Sequence, residues 1–156
     1  MSPANPFRSF TYALLALATA ASACSDVTGL ERELEDNRAL WESEGPASYS
    51  FDYHVVCYCL PEVTRPVTIT VQHGEVVSVT YVDTGEPVDT PCLCDYPTVD
   101  DLFDEIESVL AEDPYSVRVD YDPELGYPAD FFVDYDLQIA DEEWGFDVLR
   151  LDPLPG

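Results

Sequence analysis

Lysine does not occur in this chain of 156 residues, and six arginines stand against 32 aspartates and glutamates, for a formal net charge of −26. Nucleic-acid binding needs a positive face that displaces counterions from phosphates, and six scattered arginines do not build one. The same sign argument excludes attraction to an anionic lipid surface. Without lysine there is no Schiff-base amine and no phosphate-loop ammonium. Histidine occurs only as His54 and His73, which leaves little acid–base capacity near neutral pH. His73 precedes a glycine in a hairpin pattern, and His54 sits on the polar face of a strand, so neither reads as a catalytic base. The G-x-S-x-G, H-E-x-x-H and D-x-D-x-D-G patterns are missing too. Beyond the N-terminus no segment is apolar enough to span a bilayer.

What is present is enough for one core. A hydrophobic fraction of 46% with 12% aromatics is too high for a disordered acidic tail. At the N-terminus Arg8 precedes the apolar run FTYALLALATA and then Ala21-Ser22-Ala23-Cys24. This reads as a secretory signal peptide over residues 1–23, since the run is shorter than the roughly 20 residues a transmembrane helix needs. A-S-A suits ordinary signal peptidase, whereas A-S-A-C resembles a bacterial lipobox with Cys24 as the lipidated residue, although Ala21 replaces the usual leucine. Removing Cys24 from the five cysteines leaves Cys57, Cys59, Cys92 and Cys94, an even set suited to an oxidising compartment. Residues 24–28 then read as a lipid-anchored tether, 29–151 as a single domain and 152–156 as a frayed tail.

Within the domain, Val27, Leu30, Leu34 and Trp41 recur at helical spacing over residues 27–44, up to Gly45-Pro46. Strict alternation over residues 49–59 predicts a half-buried strand with Tyr49, Phe51, Tyr53, Val55, Cys57 and Cys59 on one face. Two β-branched runs around His73-Gly74 predict a hairpin. Thr98 as N-cap, with Asp101 three residues on, opens an amphipathic helix carrying Val99, Leu102, Phe103, Ile106, Val109 and Leu110. A fourth strand is expected over 115–121, a long fifth over 130–139 with Phe131, Val133, Tyr135, Leu137 and Ile139 inward, and a sixth from Trp144. The expected class is α+β: two helix-plus-three-strand units, an antiparallel sheet and helices packed on one face. GPASYSFDY and EDPYSVRVDYD, each following a helix, hint at duplication.

Three groups of residues carry candidate chemistry. If Cys57 and Cys59 share a strand face, a bond between them strains the disulfide torsion, so the first reading is two cross-links from that pair to Cys92 and Cys94. The second is a four-thiolate site for zinc or cuprous copper, although zinc knuckles favour two intervening residues and exported thiols oxidise. Asp120, Asp134, Asp136 and Asp147, together with Asp130 and Asp122, form an expected carboxylate patch on the solvent face of the last three strands. It reads as a solvated acidic face or as a site for a hard cation such as calcium. Paired carboxylates also serve glycoside hydrolysis, which keeps a hydrolase as a third class. Tyr49, Tyr53, Tyr58, Tyr81, Tyr96, Tyr115, Tyr121, Tyr127 and Tyr135 supply core material, and the exposed ones beside acids suit a protein-binding surface.

Several of these segments together resemble the bacterial envelope family called domain of unknown function 6174. The matching features are Trp41 ahead of Tyr49-Ser50-Phe51, the Cys57-x-Cys59 pair, V-x-H-G-E-V around Gly74 and T-V-D-D-L-F at 98–103. Y-D-P-E-L-G-Y-P at 121–128 and A-D-E-E at 140–143 complete them. The resemblance implies a secreted or lipid-anchored domain and supplies no catalytic residue. The helix-plus-strands repeat is also similar in topology to envelope domains of the peptidase-propeptide and β-lactamase-inhibitor-protein type. The expected function is thus a non-catalytic binding module of the cell envelope with no cofactor. It is held in the membrane only through its N-terminal lipid, at the outer membrane because Ser25 and not Asp follows Cys24, and its partner is an envelope or secreted protein. A plain secreted chain and a metal-handling lipoprotein are the alternatives.

Overall fold

The computed structural model describes residues 23–139 and 141–155. The leader reading falls on residues outside these, apart from Ala23. Helix α1 (Ala23–Glu44) takes in residues 24–28, so the expected tether is helical and Cys24 lies in its first turn. No glycine or proline interrupts that stretch, and helix formation simply propagates through it. The helix stops at Gly45, whose N–H donates to the Trp41 carbonyl at 2.7 Å, and where a Cβ would meet that carbonyl oxygen at 2.5 Å.

Alternating side chains then give β1 (Ser48–Cys57), and the hairpin gives β2 (Val67–Gln72) and β3 (Glu75–Tyr81). His73 and Gly74 both take positive φ, 54° and 80°, as a two-residue hairpin turn requires. After a loop with a 3-10 turn at Leu93–Asp95 comes α2 (Val99–Ala111). Its capping box is the one the sequence predicts. The Asp101 N–H donates to Thr98 Oγ1 at 3.2 Å, and Asp101 Oδ2 accepts from the Thr98 N–H at 2.8 Å. β4 (Ser116–Tyr121), β5 (Pro128–Asp134) and β6 (Trp144–Pro153) follow.

The six strands form one antiparallel sheet in the order β3-β2-β1-β6-β5-β4, an α+β architecture. In chain order a helix and three strands occur twice, but β1 is central and β4 is an edge. The two segments that hinted at duplication therefore occupy non-equivalent places, and their likeness is that of alternating strands in general. Both helices lie on one face of the sheet. Trp41 of α1 packs edge-on against Tyr49 at 5.2 Å between centroids, and Phe103 of α2 stacks on Tyr121 at 6.3 Å. The Tyr49 hydroxyl reaches across to accept the buried Val99 N–H at 3.0 Å, one of the donors a helix start leaves without an intrahelical partner.

The core is built from Phe51, Ile69, Val71, Phe103, Ile106, Phe131, Val133 and Phe146, all essentially inaccessible. A ladder of rings, Trp41, Tyr49, Phe51, Tyr53, Phe146, Phe131 and Trp144, runs through it with successive centroids 5.2–6.3 Å apart. Each such pair is worth about 0.5–1.5 kcal/mol beyond its area burial.

Two further expectations are corrected. The fifth strand ends at Asp134, and Leu137 and Ile139 are 68% and 53% exposed. Asp136 turns the chain: its Oδ1 accepts the Gln138 N–H and its carbonyl accepts the Ile139 N–H, both at 2.9 Å, which replaces ladder bonds with a local turn. Conversely the C-terminal residues are not frayed at 152–154. Pro153 stands opposite Tyr49 at the end of the central β1–β6 pairing, and the Leu154 N–H donates to Ser48 O at 2.9 Å.

Candidate functional site

Along β1, Tyr49 and Phe51 are buried, whereas Tyr53 and Val55 are only partly buried. There Tyr53 divides two adjoining clefts, with Asp95, Tyr96 and Pro97 shared between them. The first, about 390 Å³, lies between the flank of α2 and the start of β6 and takes in Trp144, Asp101 and Glu105. The second, about 460 Å³, lies between the 58–66 and 82–97 loops over Val67 and Tyr81, with Glu62 and Asp89 at its rim.

Burial pushes the Tyr53 phenol up to about 12, with the Glu105 carboxylate adding to it, so Tyr53 stays a neutral hydroxyl donor through the physiological range. Tyr96 is raised as well, by burial and then by the nearby Tyr81 and Asp95. In the second cleft the Arg65 guanidinium lies 3.7 Å over the Tyr81 ring and donates to Asp83 Oδ1 at 2.6 Å. That bond holds the Asp83 carboxyl below its ordinary value.

The two C-x-C pairs flank this region. The disulfides close within each pair, Cys57 to Cys59 and Cys92 to Cys94, where cross-links between the pairs were expected. The strand explains the difference. β1 ends at Cys57, so Cys59 has left the pleat, and the turn brings the two Cα atoms to 5.2 Å, within reach of a bond. What ties the 82–97 loop to the sheet is backbone pairing: Thr80 bridges Pro87, and the Val88 N–H donates to Val79 O at 3.1 Å.

On the opposite, open face of the sheet, register sets Asp120, Asp130, Asp147 and His54 side by side across β4, β5, β6 and β1. His54 Nδ1 lies 3.0 Å from Asp147 Oδ2, and Arg118 donates through Nε and Nη2 to Asp130 Oδ1 at 3.0 and 2.8 Å. Asp52 accepts from Thr68 Oγ1 at 2.6 Å nearby. Of the expected patch, Asp120 and Asp147 are thus brought to either side of Asp130, whereas Asp134 sits at the far end of β5 opposite Ser116. Asp136 lies beyond the strand, where its N–H donates to Glu142 Oε1. Among the described residues no group of three or more His, Cys, Asp or Glu is placed to hold a metal ion. No described helix is long and apolar enough to cross a membrane.

A family of unknown function, DUF6174, has a profile that matches residues 33–153. The chain belongs to that family. No curated protein and no solved structure matches it. For this DUF6174 domain the matched span begins within α1 and ends with β6, so it contains the whole sheet, both C-x-C pairs and both clefts. The sequence carried the tyrosines of the cleft as candidates but gave no signal for Trp144 and Glu105, which join them only through the β1–β6 pairing and the lie of α2.

Proposed function

We propose that this DUF6174 domain is a non-catalytic binding module of the bacterial cell envelope, lipid-anchored through Cys24, which receives a segment of another envelope or secreted protein in the double cleft. The observation that carries the reading is the lining of that cleft. Tyrosines, Trp144 and carboxylates converge in a recess on the helix-bearing side, and aromatic side chains at a partly open concave surface are the usual anchors of protein recognition. The 58–66 loop adds Tyr58, 83% exposed, and Leu60 and Val63 as further apolar contact area. Lipidation rests on the A-S-A-C junction after the apolar run.

A photo-crosslinking residue in place of Val63, at the rim, is expected to give a discrete adduct in intact cells. The same residue in place of Asp120, on the open sheet face, is expected to give none. Equal labelling from both positions would show that the cleft is not the binding surface. For the anchor, Cys24→Ala is expected to move the protein from the membrane to the soluble fraction, and an unchanged fractionation and mobility would count against lipidation.

A further inference from the structure

The chain handles three of its arginines in one recurring way. Arg38 lies 5.4 Å from the Phe103 ring centroid and pairs with Asp104 and Glu107 at 2.8 and 3.0 Å. Arg65 lies 3.7 Å over Tyr81 and pairs with Asp83 at 2.6 Å. Arg118 lies 5.6 Å from Phe132 and pairs with Asp130 at 2.8 Å. In each case a guanidinium sits over an aromatic ring and on a carboxylate, the geometry in which its flat face and its fork of N–H donors are both used.

The first cleft repeats the ring-and-carboxylate set without an arginine of the chain's own. Tyr53, Tyr96 and Trp144 line it together with Asp95, Asp101 and Glu105, and no basic residue is among the described residues of its wall. The three acids are not equivalent. Asp101 Oδ2 is committed to the Thr98 N–H and hydroxyl in the capping box, and Asp95 Oδ2 accepts from Thr90 Oγ1 at 3.3 Å. Glu105, exposed on α2, has no ion-pair partner among the described residues and sits close enough to Tyr53 to raise its phenol.

We infer that the first cleft binds an arginine side chain of the partner segment, with the guanidinium over the Tyr53 and Trp144 rings and paired with Glu105. This rests on the binding-module reading and names its recognition chemistry. Arginine is selected over lysine because a planar, weakly hydrated cation can lie against a ring while its edge donors reach the acid, whereas an ammonium is a strongly hydrated point charge. A strongly acidic protein attracts any cation from a distance, so the charge of the whole chain draws the partner in and the cleft supplies the discrimination.

The test is titration of the full chain with a capped hexapeptide carrying one arginine among glycines and serines, and with the same peptide carrying citrulline, which keeps the shape and loses the charge. Calorimetry reads the affinity and the indole NMR signal of Trp144 reads the place. The arginine peptide is expected to bind saturably and shift that signal, the lysine version to bind several-fold more weakly and the citrulline version at least tenfold more weakly. Glu105→Gln is expected to weaken the arginine peptide at least fivefold, whereas Asp120→Asn, an equal loss of charge on the far face, leaves it unchanged. Glu105 is exposed on a helix, so its replacement preserves the fold, and amide dispersion in the NMR spectrum verifies this. Equal weakening by the two variants, or equal binding of arginine and citrulline peptides, would overturn the assignment. Failure of the arginine peptide while the Val63 adduct persists rejects arginine and leaves the binding module standing; loss of both rejects both.

Discussion

At the scale of single residues, the chemistry of this protein is set by what surrounds its tyrosines and cysteines. Tyr49 and Tyr53 have phenols pushed up to about 12, mainly by burial; acids nearby add to this, Asp100 and Asp101 for Tyr49 and Glu105 for Tyr53. In the unfolded chain a tyrosine ionises near pH 10, so between about 10 and 12 the unfolded state sheds protons that the folded state keeps. Their contribution is fully present below about pH 10 and is lost as pH rises through the folded values. Denaturation midpoints taken from about pH 8 to about pH 12 should fall across that window together with the appearance of phenolate absorbance; a flat profile would show that the hydroxyls are solvated. The disulfides behave in the opposite sense, as local clips. Each spans a sequence separation of two, and so short a ring removes little freedom from the unfolded chain, on the order of 1.5 kcal/mol in the chain-entropy model. Reducing both should lower the melting temperature by about 10 °C and keep unfolding cooperative. Cleavage at Glu75 without reductant should release two separate cystine peptides, whereas peptides still joined would restore the cross-pair connectivity.

At the scale of elements, the capping box of α2 and the hairpin turn are local devices, and both are read directly from a few neighbouring residues. His73 at φ 54° occupies a position where a side chain with a branched or bulky Cβ is strained and asparagine is favoured. His73→Asn should therefore stabilise the fold by about 0.5 kcal/mol, and His73→Val should destabilise it by about 1–2 kcal/mol, as read from urea midpoints. The two differences in strand length have different origins, one local and one long-range. Alternation predicts a strand wherever hydrophobic and polar residues take turns, but Asp136 captures backbone donors within its own turn and ends β5 early. At the other terminus, β6 runs on because β1 offers it a partner, and a proline at the strand end forfeits no needed N–H.

At the scale of the whole molecule, the net charge of −26 makes the fold work against its own repulsion. The row of Asp120, Asp130 and Asp147 is relieved at Asp130 by Arg118, and the remaining repulsion is screened over about 10 Å at 0.1 M salt. Sodium chloride should raise the melting temperature gradually, and calcium and magnesium at matched ionic strength should act alike. A saturable shift with calcium alone, lost on Asp134→Asn, would instead reveal a specific carboxylate site. Much of this architecture was readable from neighbours in sequence: the amphipathic stripe and cap of α2, the hairpin, and the inward placing of Tyr49 and Phe51 in β1 and of Phe131 and Val133 in β5. Composition and period report which side of an element is apolar, and that is a local property. Which strand lies beside which is not local. The β1–β6 pairing, with Cys57 opposite Trp144 and His54 opposite Asp147, joins residues about ninety positions apart, and it builds both the His54–Asp147 pair and the sheet side of the first cleft. The sequence by itself determined the elements and their faces, because those follow from repeat and cap. Only the tertiary structure decided the sheet order, the pairing of the cysteines and the convergence of Tyr53, Tyr96, Trp144 and Glu105, because these depend on where separate elements end and how they pack.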